Sequence, residues 1–348
     1  MTFIIMLILS VLLFLLLVLR DEAGKNNRFF DLDTTSCMRG FWCIVILLVH
    51  IPLAYQNTIQ DAIGSFAYIG VTFFFMTSGY GLMLKGEKRQ GESVWSFWVK
   101  RLPKLIVPML FVNVIRFFVE LFAYESASAA LLIGITGFVR QLLLFYFLFW
   151  IVFYLLPHGI AKQVKMLLLS FLIICFSFFV YFFGGLQLFG WPVESFGFLY
   201  GILLAEAKTT FVEWGRQKRY FKILAFGIAS LGLGVVYLKF KAIPFLGDFV
   251  IRLLLGFFIL MLILLLNVNI PIGNKMSRWL GKISYEVYLI HDVSFVILIA
   301  WFSKLNSGLF VSLSIIITIL LSILVKKLSA IIYRLFGFKT RCNFVKKT

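Results

Sequence analysis

The stretch MRGFWCIVILLVHIPLAY, residues 38–55, is apolar apart from an arginine near its start and a histidine two thirds of the way along. A run of this length suits a helix crossing a bilayer, which needs ~17–25 apolar residues at 1.5 Å each. The rest of the chain supports that solvent. Hydrophobic residues make up 62% and charged residues 14% of the 348 positions, and the mean hydropathy is +1.01. So little polar surface cannot clothe a water-soluble globule of this size.

The same length rule marks eleven spans: 2–19, 38–56, 63–84, 105–124, 141–157, 166–183, 191–207, 221–238, 248–267, 283–303 and 308–325. The expected fold class is therefore all-α, a polytopic transmembrane helix bundle. The first span lacks a basic leader and a small-residue cleavage site, so it reads as a retained anchor. No stretch between spans is long enough for a soluble domain, and no internal repeat is visible. Cys37, Cys43, Cys175 and Cys342 show no CxxC spacing and read as structural.

The net charge of +18 would suit nucleic acid, but the basic residues punctuate apolar runs and sit on no foldable soluble domain. They orient a membrane protein instead, so membrane lipids are the expected partner and nucleic acid is not. With the segment between the first two spans placed in the cytoplasm, the cytoplasmic segments and tail hold 27 of the 33 Lys and Arg residues. The opposite side keeps Arg140, Lys239, Lys241, Arg252 and Lys304, and Arg116 lies within a span. By the positive-inside rule this makes a multi-pass protein of the cell membrane with its N-terminus outside and its C-terminus in the cytoplasm.

Arg39 and His50 are eleven residues apart, which returns a helix to within about 20° of its starting direction and advances it ~16 Å. The two share one face, with Arg39 expected at the cytoplasmic rim and His50 near mid-membrane. A core histidine bonded to a neighbouring helix remains the plain alternative. Ionisable groups at bilayer depth are costly and tend to line a cavity or pathway. In GKISYEVYLIHDV, residues 281–293, His291 shares a face with Ser284 and Tyr288. The third histidine, His158, follows Pro157 at a helix end and is expected in solvent. Asn113, Arg116 and Glu120 form a polar stripe whose simplest reading is a neutralised Arg–Glu pair. Ser78, Gly79 and Gly81 interrupt a helix, either to free backbone groups beside a wet cavity or to give a small-residue packing face.

At these residues the chain resembles the membrane acyltransferase 3 family, which acylates glycans, lipids and other envelope molecules. MRGFWCIVILLVH is similar to that family's opening arginine-to-histidine motif, with ten residues between the pair. GVTFFFMTSGYGL resembles its Ser-Gly-aromatic block, FWVKRLPKLIVPMLF its basic loop running into an apolar-Pro segment, and ISYEVYLIHDV its late Tyr-Leu-Ile-His helix. FYFLFWIVFYLLP and GFLYGILLAE are weaker matches. The resemblance covers residues 31–325, a ten-helix acyltransferase-like core. It leaves an N-terminal transmembrane anchor and linker at 1–30 and a basic cytoplasmic tail at 326–348. Lys104 stands where the family often has a second arginine, so phosphate contact there would be a point charge and not a bidentate fork.

The resemblance implies an O-acyltransferase, and together with the Arg39–His50 geometry it suggests a route. Acyl-CoA, first of all acetyl-CoA, would enter from the cytoplasm as co-substrate with its phosphates on Arg39, Arg101 and Lys104. His50, neutral when desolvated, would take the proton of an acceptor hydroxyl as it attacks the thioester, or would itself carry the acyl group. Ser78, Tyr285, Tyr288 and His291 would support the site. No metal and no permanently bound cofactor is expected. The acceptor would be a hydroxyl of a polysaccharide, another envelope glycan or a lipid-linked precursor. The rival reading is a transporter or flippase of such a precursor, with the polar residues lining its path.

Overall fold

The structure is a computed structural model that describes residues 29–87, 94–157, 159–184, 190–270, 272–302 and 304–338. The expected first span, His158 and the end of the basic tail lie outside them. Among the described residues the regular elements are all helical. They are α1 (Leu32–Val49), short α2 (Thr58–Gly64), α3 (Ala67–Glu87), α4 (Val94–Tyr124), short α5 (Ala130–Ile133) and α6 (Gly137–Trp150), which continues as a π-helix, Ile151–Leu155. Then come α7 (Lys162–Phe182), α8 (Phe196–Glu206), α9 (Lys208–Arg216) and α10 (Arg219–Phe240). A second π-helix, Leu246–Ile251, leads into α11 (Arg252–Asn269), followed by α12 (Lys275–Trp301) and α13 (Ser307–Leu335). Among the described residues 9 helical stretches are long and apolar enough to cross a membrane, and the protein is a multi-pass membrane protein. The expected span at 191–207 contains only the 11-residue α8.

Several helices start or stop elsewhere than apolarity alone suggests. α1 begins at Leu32, not 38, because the Asp31 side chain accepts a hydrogen bond from the Thr34 amide and caps it. It ends at Val49, not 56, because Pro52 disfavours helical backbone at the residue before it. The expected basic loop before 105 is helical too: α4 starts at Val94 and runs through Pro103 and Pro108, with Phe97 fully buried on its inner face. α12 starts at Lys275 on a capping box in which Asn274 and Ser277 satisfy each other's backbone amides.

In lipid, apolar side chains gain little by leaving their solvent, so close helix packing depends on small residues. Two crossings show this. A Cβ on Gly197 would lie 2.1 Å from the Thr72 carbonyl oxygen, and one on Gly79 2.3 Å from that of Phe198; these glycines let α3 and α8 touch backbone to backbone. Gly79 is thus packing, whereas Gly81 faces open space. Gly40 and Gly281 do the same for α1 and α12. Buried Phe73, Phe75, Phe145, Phe149 and Phe198 fill the interior. α10 lies at the periphery, where Leu224, Ile228, Leu231 and Val235 form an outward stripe facing lipid.

Candidate active site

A Cβ on Gly40 would lie 2.2 Å from the Ser277 carbonyl oxygen, and one on Gly281 1.7 Å from that of Ser36. α1 and α12 run parallel through this contact, and each carries a histidine ten residues beyond its glycine. Equal rise along both helices, ~15 Å, brings the two histidines together. The His50 and His291 rings meet edge to face with centroids 4.8 Å apart and planes at 82°.

The two imidazoles are held differently. His291 is buried, and its Nδ1 lies 2.7 Å from the Tyr288 carbonyl oxygen. A carbonyl can only accept, so this contact assigns the proton to Nδ1 and leaves Nε2 as the nitrogen facing the site. Nε2 lies 3.1 Å from Asp292 Oδ1, an ion pair only when the ring carries both protons, and it makes no hydrogen bond among the described residues. His50 is exposed and stands at the C-terminal end of α1, where its backbone amide closes the last turn onto Leu47 and Leu48. It was expected mid-helix; the early stop before Pro52 puts it at the helix end. The Tyr288 ring is 5.9 Å from that of His291 and 4.8 Å from that of Phe138.

Arg39 lies seven residues inside α1. Its Nη2 donates to Ser36 Oγ at 3.1 Å, and its buried Nε has no protein partner among the described residues. Tyr146 and Glu286 are within electrostatic reach of it, and Tyr146 in turn is within reach of Arg101 and lies beside Ser78. Ser78 Oγ also donates to the Phe74 carbonyl. Tyr285 donates to the Leu105 carbonyl at 2.8 Å, tying α12 to α4. The structure therefore gathers Arg39, Arg101, Ser78 and Tyr285 in one polar interior, below the histidine pair along α1 and α12. Lys104 lines a separate pocket of about 250 Å³ with Lys100, Pro103 and Tyr333.

Glu286, Tyr146 and Asp292 were missed in the sequence. Glu286 is buried; its Oε1 is 3.3 Å from Lys326 Nζ, and its buried Oε2 has no protein partner among the described residues. An acid inside an apolar span is itself a signal, so Glu286 could have been found. Tyr146, within FYFLFW, carries no mark that separates it from ring packing. Arg116 and Glu120 form the expected pair at 2.7 Å. Among the described residues no group of three or more His, Cys, Asp and Glu is placed to hold a metal ion.

Chemically, the upper group offers an imidazole of assigned tautomer, a second imidazole against it and a carboxylate beside them, a set able to take a hydroxyl proton. The lower group offers buried guanidinium for an anionic ligand. The model of the acyltransferase domain of the acyltransferase 3 family matches residues 29–327. No curated protein and no solved structure matches the chain.

Proposed function

The chain belongs to the acyltransferase 3 family and is a membrane acyltransferase, and from that premise we propose that it moves an acetyl group from acetyl-CoA to a hydroxyl of an envelope glycan or its lipid-linked precursor. In this reading the donor enters from the cytoplasm at the Lys275 end of α12, its phosphates meeting Arg39 and Arg101, while Lys104, in its separate pocket, adds only positive charge to the entry side. The pantetheine arm extends along α1 over the ~16 Å between Arg39 and His50. His50, at the edge of the bundle, meets the acceptor. Its imidazole takes the hydroxyl proton while the oxygen forms a bond to the thioester carbonyl carbon. The C–S bond then breaks, and the imidazolium returns the proton to the departing thiolate. His291 orients His50, and Tyr288 stands beside the pair.

The observation that carries this reading is the edge-to-face contact of His50 and His291, with the tautomer of one assigned by a backbone carbonyl. The test is purified protein in detergent with labelled acetyl-CoA. His50→Ala is expected to lower acyl release by roughly 10²–10⁴-fold while CoA still binds, and Arg39→Ala is expected to weaken CoA binding instead. Unchanged release by His50→Ala would remove it from the chemistry.

A further inference from the structure

The segment WGRQKRYFK, residues 214–222, joins α9 to α10 and carries Arg216, Lys218, Arg219 and Lys222 without an acidic residue. It sits where the apolar helix α10 begins and α11 ends, and so at the boundary of membrane and water. Three of these cations face a cavity of about 570 Å³ lined by Arg216, Lys218, Arg219, Tyr220, Val268 and Asn269. A cytoplasmic loop rich in lysine and arginine needs no more explanation than the positive-inside rule. That rule does not account for a concave shape, and here the shape is built. Gly215 lets the end of α9 press against α11, since a Cβ there would meet Val268 at 3.3 Å. Asn269 fastens the contact, its side-chain amide donating to the Gly215 carbonyl at 3.2 Å and that of Leu265 at 2.8 Å. Lys218 takes a left-handed backbone, φ 45° and ψ 40°, to turn the chain into α10.

Among the described residues, no ion pair engages Arg216, Lys218 or Arg219. The polar partner of the Arg219 guanidinium is the Tyr220 hydroxyl at 2.7 Å, and it stacks 4.6 Å over that ring. Lys222 is turned away to the Trp214 carbonyl and lies 4.1 Å over the indole. Tyr220 and Phe221 beside the cavity are 73% and 71% exposed, as interfacial anchors are.

We propose that this cavity binds the phosphate ester of an anionic phospholipid headgroup. Arginine forks match phosphate oxygens in geometry as well as charge, and the neighbouring exposed aromatics and lipid-facing α10 favour a ligand that arrives from the bilayer over one from solution. The site is separate from Arg39, Arg101 and the histidine pair, which lie on α1, α4 and α12.

Native mass spectrometry of the full-length protein tests the proposal, with phosphatidylglycerol, phosphatidylcholine and inorganic pyrophosphate as probes. The wild type is expected to retain phosphatidylglycerol over phosphatidylcholine. The variant Arg216→Gln/Lys218→Asn/Arg219→Gln is expected to lose that retention by about tenfold or more, the factor one charge-assisted hydrogen bond is worth. Asparagine is chosen at position 218 because it tolerates the left-handed backbone. Removing three charges elsewhere, in Lys239→Gln/Lys241→Gln/Lys327→Gln, is expected to leave retention unchanged. Equal loss in this control, or none in the first variant, would overturn the proposal. So would saturable pyrophosphate binding at the site without lipid retention. Single Arg216→Gln, on an exposed side chain, carries the test if the triple variant misfolds.

Discussion

Asp292 places a carboxylate oxygen 3.1 Å from Nε2 of His291 on a side chain that is 53% exposed. Even with the imidazole protonated, a contact to so exposed a carboxylate is worth ~0–1 kcal/mol, so taken alone it would leave turnover untouched. If instead it orients the imidazole pair, as a third group orients the base beside a nucleophile, its loss should be felt in the chemistry. Asp292→Asn is therefore expected to lower kcat by roughly 10²-fold, the lower end of what a positioned acid or base contributes, with the KM for acetyl-CoA unchanged. Steady-state kinetics with a fixed acceptor checks this, and a kcat within twofold of wild type would show Asp292 to be a bystander. Arg39, His50 and His291 stood out in the sequence because charge and imidazole are rare inside apolar runs. Asp292 did not, because it follows His291 at a position that reads as solvated, and only the structure shows its side chain turned back toward the ring of its sequence neighbour.

α1 and α12 owe their pairing to two glycines, and the histidine contact follows from the pairing. Gly281→Ala would put a methyl group 1.7 Å from the Ser36 carbonyl oxygen and 2.4 Å from its carbon, so the helices must separate. Overpacking of this kind typically costs about 1–3 kcal/mol. The expected result is a lower melting temperature in detergent together with loss of acyl release, because the edge contact of His50 and His291 depends on the shared register. Gly227→Ala, on α10 where nothing lies within 4 Å, is expected to leave both unchanged. Equal behaviour of the two variants would show that the crossing does not set the site. Among the described residues nine of the expected spans were legible from apolar length alone, since a bilayer imposes it, whereas the stretch at 191–207 holds only an 11-residue helix. Their ends were not, because caps and prolines decide them: Asp31 and Pro52 shift α1, and Asn274 extends α12 toward the water. The partnership of the second and the late helix was also illegible, since small residues occur in many spans and only three dimensions show which of them face each other.

At the scale of the whole molecule, the helix ends sort the charges. Lys104, Arg278, Lys282, Lys326 and Lys327 lie in the N-terminal halves of α4 and α12 and the C-terminal third of α13. Lys239, Lys241, Arg252 and Lys304 lie at the other end, where Lys241 donates to Ser65 at 3.1 Å in the segment that follows His50. The histidine pair thus belongs to the charge-poor end and Arg39 to the charge-rich half. Lysine and arginine flanking spans are retained in the cytoplasm, so the charge-rich end should face it, and the acyl group would be picked up on one side and delivered toward the other. Orientation is measurable directly. With the native cysteines replaced, Lys241→Cys is expected to react with a membrane-impermeant maleimide in intact cells. Lys327→Cys, exposed in the C-terminal third of α13, should react only after permeabilisation. The opposite pattern would put Arg39 on the outer half, where cytoplasmic acetyl-CoA could not reach it, and transfer by the route proposed here would be impossible.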